Sequence, residues 1–278
     1  MGELLRKEVG YMLVYVINRH GKPLMPCKPQ KARKLLKEQK AKVVKRTPFT
    51  IQLLYGSSGY RQDVILGVDA GSKTIGLSAT TENREVFSAE VELRTDIEVE
   101  LKVKRNSSFR DADFMGIMRW AFYDKLKELY SNVSLTFGYI TKHARIKHNL
   151  EKSHRINARC ISGNPSTKES DCWYFFKQVR KQNRQLHKTN PKKGIRRENK
   201  APGYVHGYQL FDKVEYLGRE CFVFGRRSSG YFDLRTLDGE VVSRSASVGK
   251  LKLVERASSL LCERREASFL TALKHGVS

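Results

Sequence analysis

Residues 64–78 read VILGVDAGSKTIGLS: an apolar run, one carboxylate, a glycine and a second apolar run. No other stretch constrains the fold as much. Val64, Ile65, Leu66 and Val68 form a β-branched and aliphatic run suited to a buried strand, bounded by turn residues. Asp69 follows at the expected strand end, Gly71 permits a tight reversal, and residues 74–80 resume an apolar strand. The pattern predicts a β-hairpin with a single aspartate at its turn. A carboxylate held at such a point suits Mg²⁺, a hard cation that prefers oxygen. On spacing alone Asp69 is a turn residue; what surrounds it in the chain decides whether it has chemistry.

The charge narrows the class of partner. The chain of 278 residues carries 53 Lys and Arg against 29 Asp and Glu, a formal net charge of +24. Solubility requires far less, so a polyanion is expected, nucleic acid first. A membrane surface is the rival polyanion. Yet no apolar run approaches the ~20 residues of a spanning helix, and no basic amphipathic helix or lipidation signal stands out. The apolar patch at residues 11–17 follows Glu and Lys and precedes no small-residue cleavage site, so it reads as a buried strand. The five cysteines are scattered without a CxxC pair, and the seven histidines show no HExxH spacing. Zinc and a disulfide framework are therefore not expected, and the chain reads as reduced and cytoplasmic.

Along the chain, residues 12–17 read as a strand, 21–23 as a turn, 31–39 as a basic helix, and 41–45 and 50–55 as strands. This β-α-β-β unit ends near a Gly-Ser-Ser-Gly linker at residues 56–59. Three antiparallel strands are expected at 64–68, 74–80 and 86–93. A helix follows at 113–130, with Phe114, Ile117, Met118, Ala121, Phe122, Leu126 and Leu129 spaced for one face. A strand at 133–140 and a helix at 153–161 complete the order of an RNase H-like domain. Residues 177–200 are the most basic stretch, readable as a solvated linker or as ordered backbone contact. Short β runs at 207–214, 220–224, 230–235 and 241–243 close the chain as an SH3-like barrel.

Taken in order, these residues resemble IscB, a family of transposon-encoded RNA-guided endonucleases. Pro23-Leu24-Met25-Pro26 matches the family's PLMP motif, followed by KARKLLKEQKAKVVKRTPFTIQLLY. LGVDAGSKTIGLS resembles the first RuvC nuclease motif, and FMGIMRWAFYDKLKELY with TKHARIKHNLEKSHRINARCISG resembles the third RuvC segment. YQLFDKVEYLGRECFVFGRRSSGYFDLRTLDG is similar to the C-terminal barrel that contacts the short target-adjacent motif in DNA. The resemblance implies a mixed α+β or α/β chain. Its expected parts are a PLMP RNA-binding domain (1–60), a truncated RuvC-like RNase H fold (61–175), a basic linker (176–202) and a β-barrel (203–278).

The departures from the family pattern are as informative. Residues 91–97 run directly into EVELKVKRNSSFRDADFMG, and nothing resembling an HNH nuclease, an arginine-rich bridge helix or a second RuvC motif lies between. The join near residues 97–98 reads as one in-frame excision. The family's His-x-x-Asp appears as His154-Arg155-Ile156-Asn157. RuvC-type cleavage uses two metal ions held by several carboxylates, and only Asp69 of three expected acids remains. The expected site is thus Asp69 as remnant catalytic residue and Mg²⁺ ligand, His154 as a general acid/base or surface residue, and Asn157 as a lost ligand. Glu98 and Glu100, alternating on EVELKV, are either surrogate acids for an active nickase or solvated charges on an edge strand.

The resemblance also implies a structured guide RNA, with double-stranded DNA as its target and no membrane, the chain acting as a monomer in a ribonucleoprotein. Lys31, Arg33, Lys34, Lys37 and Lys40 are expected to neutralise phosphates from the first helix. Arg180, Lys181, Arg184, Lys188, Lys192, Lys193, Arg196 and Arg197 are expected to do so from the basic stretch. Arg226 and Arg227 lie on a loop that could reach guanine edges or phosphates only. A non-guided RNA or DNA binder, and a decaying deletion product short of one sheet strand, are the other readings of the same residues.

Overall fold

The computed structural model describes residues 13–56, 62–94, 109–180, 187–189, 196–198 and 201–266. It is a mixed α/β protein made mostly of sheets, with four α-helices among the described residues. The chain forms two compact units, residues 1–176 with 264–278 and residues 177–263.

The first unit begins with β1 (Val14–Ile17), β2 (Pro23–Cys27), α1 (Pro29–Lys37), β3 (Ala41–Lys45) and β4 (Thr50–Leu53). The four strands pair in the order β2-β1-β4-β3, with β1 parallel to β4. One more strand is present than the expected β-α-β-β. The PLMP tetrapeptide, whose first proline is expected from sequence to close a turn, is itself β2. It can be so because β2 is an edge strand, where proline's missing N–H removes no ladder bond. The reversal before it is made by Gly21 at φ 79° and by the Asn18 side chain, which accepts from His20 and Lys22 N–H. Val14, Val16, Ala32, Ala41, Ile51 and Leu53 form the buried core of this part. Tyr15 faces the other way: its hydroxyl donates to the Val86 carbonyl at 3.1 Å and its ring meets Phe87 and Tyr174. Burial pushes its phenol far above the usual tyrosine range.

The second sheet of this unit contains β5 (Ile65–Ala70), β6 (Thr74–Thr80) and β7 (Glu85–Glu92), which pair antiparallel as expected from the hairpin pattern. Asp69 lies inside β5, opposite Gly76, rather than beyond the strand's end. Next come α2 (Phe109–Leu129), α3 (Gly138–Lys147), α4 (His154–Ile161) and β8 (Cys172–Gln178). The strand expected at 133–140 is not formed: residues 132–137 have no regular structure and α3 starts at Gly138. β-Propensity needs a partner strand to act on, and here the Phe137 carbonyl instead accepts the Ile140 and Thr141 amides in the first turn of a helix. Sequence patterning misses β8, whose Trp173, Tyr174, Phe175 and Phe176 are all buried. A central strand covered on both faces shows no alternation, so its periodicity carries no signal.

The order of this sheet is β16-β8-β7-β6-β5, where β16 is Leu260–Glu266, leaving β5 at one edge. Val64, Ile65 and Leu66 are exposed along that edge. Of the apolar face expected for α2, Phe114, Ile117 and Leu129 remain more than half exposed, as does the neighbouring Trp120. A bond from Arg119 Nε to the Ala70 carbonyl (2.9 Å) ties α2 to the end of β5.

In the basic stretch, β9 (His187–Thr189) and β10 (Arg196–Glu198) form a two-stranded antiparallel ladder. The second unit then carries β11 (Lys213–Tyr216), β12 (Arg219–Arg226), β13 (Tyr231–Arg235), β14 (Val241–Ser247), a 3-10 turn (Val248–Lys250) and β15 (Leu251–Glu255). They pair antiparallel in the order β14-β13-β12-β11-β15. The expected closed barrel is an open five-stranded sheet, because β14 and β15 end the order without pairing to one another. Its core is Val214, Cys221, Val223, Phe232, Leu234, Ala246 and Leu251. Asp212, fully buried, accepts from Arg256 Nη1 (2.9 Å) and from the Ala257 (2.8 Å) and Gln209 (3.1 Å) amides. Three donors offset the cost of burying that carboxylate.

All five cysteines are thiols outside any disulfide, four of them buried and Cys27 half-buried. Burial pushes the Cys27 and Cys160 thiols up, and that of Cys221 up to about 11. At pH 8 a thiol with that value is about one-thousandth thiolate, the reactive form. Brief iodoacetamide treatment of the native protein followed by mass spectrometry is therefore expected to mark Cys27 first. Cys221 is expected to react only after denaturation, and its rate in the native state should rise as pH rises. Equal labelling of the two in the native state would contradict the burial that sets this order.

Candidate functional site

Three glycines bring the site together. The Gly67 Cα lies against α4, so a Cβ there would overlap the Ala158 carbonyl oxygen. At Gly76 it would overlap the His154 carbonyl, and at Gly71 it would strike the Thr74 carbonyl and approach His154 Cε1 to 3.0 Å. Glycine at these positions lets the first turns of α4 rest on the backbone of β5 and β6. Ser153 caps that helix, its Oγ accepting from the Ile156 amide at 3.2 Å. His154 and Asn157 are three residues apart, one above the other on one helical face.

That face meets Asp69. His154 Nδ1 lies 2.8 Å from Asp69 Oδ2, and Asn157 Nδ2 donates to the same oxygen at 3.1 Å. A carboxylate only accepts, so Nδ1 carries the hydrogen and Nε2 is left for a second partner. The Asp69 side chain is 25% exposed and that of His154 is 42% exposed, so the cluster opens to solvent. The structure thus unites all three residues nominated from sequence.

It also adds one acid that the sequence pattern does not reveal. Gly76 pairs with Asp69 on one side and Glu90 on the other, so both acids sit in one row and on one face of the sheet. Glu90 Oε1 accepts from the Arg155 amide at 3.1 Å, spending the carboxylate on the exposed N–H groups of the helix start. Alternation along β7 places Glu90 on this face once the register is known. Two strand spacings, about 10 Å, separate the backbones of the two acids, and the Glu90 carboxylate is already engaged by the Arg155 amide.

Among the described residues the donor set therefore does not fit two divalent ions. One carboxylate oxygen is occupied by a histidine N–H and an amide NH₂, and the amide brings no negative charge. Among the described residues no group of three His, Cys, Asp or Glu is placed to hold a metal. What the arrangement can do is orient the imidazole and present Nε2 to a phosphate or a water.

Beneath α4, Arg159 is buried and pairs with Glu169 at 2.7 Å, while Arg155 stacks on Trp173 at 5.5 Å. These two arginines of the helix anchor it and do not face solvent as nucleic-acid contacts would.

The basic residues nominated for nucleic acid separate into groups. Lys31, Arg33, Lys34, Lys37 and Lys40 are all exposed on or just after α1. Lys31, Lys34 and Lys40 line a groove with Leu35, Glu38 and Tyr55. Arg180 is exposed, and Lys188, Arg196 and Arg197 lie on the β9–β10 ladder, Lys188 opposite Arg197. Lys181, Arg184, Lys192 and Lys193, like Glu98 and Glu100, lie outside the described residues. Arg226 ends β12 and its Nη1 donates to the Gly203 carbonyl and, at 3.5 Å, to that of Tyr208. Arg227 is exposed in the turn and donates to Ser245 Oγ at 3.2 Å.

Compared with known protein families, residues 14–111 fit the model of the RRXRR protein family. That span includes the four-stranded sheet, α1, the β5–β6–β7 meander and Asp69, and it ends before His154 and Asn157. No curated protein matches the chain.

Proposed function

We propose that this chain is an IscB-like protein that binds a structured guide RNA and is directed by it to double-stranded DNA, with its RuvC-type cleavage impaired. The observation that carries the reading is the RRXRR match over residues 14–111, which is compatible with RNA-guided endonucleases of this kind. The net charge of +24 supports a polyanionic partner. Among the described residues no strand pairs with the outer edge of β5, which supports a RuvC-like sheet that has lost a strand. In the second unit, the order β14-β13-β12-β11-β15 with a 3-10 turn before the last strand supports an SH3-like module in the position of the target-adjacent-motif domain. The donor set at Asp69, one carboxylate with an imidazole and an amide among the described residues, supports the impairment. Among the described residues no helix is long and apolar enough to cross a membrane. The working form in this reading is a monomeric ribonucleoprotein in the cytoplasm of a prokaryotic cell.

The test is to purify the protein with co-expressed cellular RNA, wash at moderate salt and sequence what stays bound. One dominant structured species ending in a variable segment is expected. A heterogeneous pool would favour a non-guided binder and overturn the guided reading. With the bound guide and Mg²⁺ in excess, a matched DNA duplex is expected to stay unnicked, and Asp69→Ala to change nothing. A metal-dependent nick lost in Asp69→Ala would instead establish an active nickase.

A further inference from the structure

The groove beside α1 has a composition that phosphate binding alone does not explain. Lys31, Lys34, Leu35 and Glu38 fall on one stripe of helix and its C-terminal cap, spaced three or four residues apart. Lys40 and Tyr55 close the opposite wall. The Leu54 amide donates to the Lys40 carbonyl at 2.9 Å and the Lys40 amide to the Leu35 carbonyl at 2.9 Å, which fixes both walls to the helix end. The groove is open to solvent and has a volume of about 540 Å³. Tyr55 is 43% exposed, and Leu35 adds an apolar patch between the lysines. Glu38 draws Lys40 to 2.9 Å and Lys34 to 3.9 Å. That carboxylate repels a phosphate and accepts hydrogen bonds, as the amino edge of a base provides.

We propose that this groove seats one unpaired nucleotide of single-stranded RNA, its base against Tyr55 and Leu35 and its flanking phosphates on Lys31 and Lys34. The inference rests on the RNA-binding reading above and adds the position and the strandedness of one contact. An aromatic ring beside cations is the usual platform for single strands, because every base has a π-face to stack. A duplex cannot use it, since its base faces are already stacked on one another.

Full-length protein would be titrated against a short labelled oligoadenylate and a duplex RNA of equal length, by fluorescence anisotropy at several salt concentrations. Tyr55→Ala is expected to weaken the single strand roughly 5- to 100-fold with the salt slope unchanged. Tyr55→Trp should retain affinity, and duplex binding should change less than about 2-fold. Lys31→Ala, by contrast, should flatten the single-strand salt slope by about 0.7. Thermal melting of each variant reports whether it is folded. If folded Tyr55→Ala binds the single strand as the wild type does, or loses both RNAs equally, the groove is not a stacking site, while the RNA-binding reading stands. Failure of the wild type to bind either RNA overturns both.

Discussion

Gly76→Ala is expected to lower the melting temperature of the first unit by roughly 4–10 °C, from an overpacking cost of about 1–3 kcal/mol. The added Cβ would overlap the His154 carbonyl and come within 2.9 Å of the Arg155 amide nitrogen. All of these are backbone atoms, so no side chain can rotate away. The start of α4 must lift, and with it go the Arg155 amide bond to Glu90 and both donors to Asp69. The same chemical change at Gly116 provides the control. A Cβ there meets nothing within 4 Å and the position lies inside α2. Alanine is favoured over glycine in a helix by about 1 kcal/mol, so Gly116→Ala should raise the melting temperature slightly. Two Gly→Ala variants of opposite sign, read by calorimetry, would tie the glycines of the VDAGSKTIG segment to the seating of α4. Equal melting temperatures would refute that role.

RNA affinity is expected to fall at least about 10³-fold between roughly 50 and 200 mM salt, the response of a protein that neutralises six or more phosphates. The exposed cations of α1 carry a definite share. Alanine at Lys31, Arg33, Lys34 and Lys37 together should flatten the plot of log affinity against log salt by about 3–4 for duplex contacts, and by somewhat less for single strands. Alanine at Arg226 should act differently. Its guanidinium is bonded to the Gly203 and Tyr208 carbonyls, so the change should cost stability and leave the slope nearly unchanged. A slope near zero in the wild type would remove the electrostatic basis of the proposed function.

Much of the site is legible in the residues themselves. The alternation and glycines of residues 64–80 announce the hairpin, and the three-residue spacing of His154 and Asn157 places them on one helical face. Both signals are local: they depend on the period of a strand or a helix and on the one residue that lacks a Cβ. The basic face of α1 is legible for the same reason, since exposed lysines report themselves through composition.

Tertiary structure decided the rest. Only strand order tells that PLMP is an edge strand, where proline is tolerated. Burial on both faces erased the alternation that would have announced Trp173–Phe176 as a strand. Residues 133–140 had strand propensity but pair with no strand among the described residues, and part of them became helix. Glu90 entered the site only through register, which puts it in the row of Asp69 and then spends it on a helix end. The order of residues sets the chemical groups and the local periods that aim them. Which groups meet, and which acid is left to bind anything, depended on pairing and close packing between residues as far apart in the chain as Gly67 and Ala158.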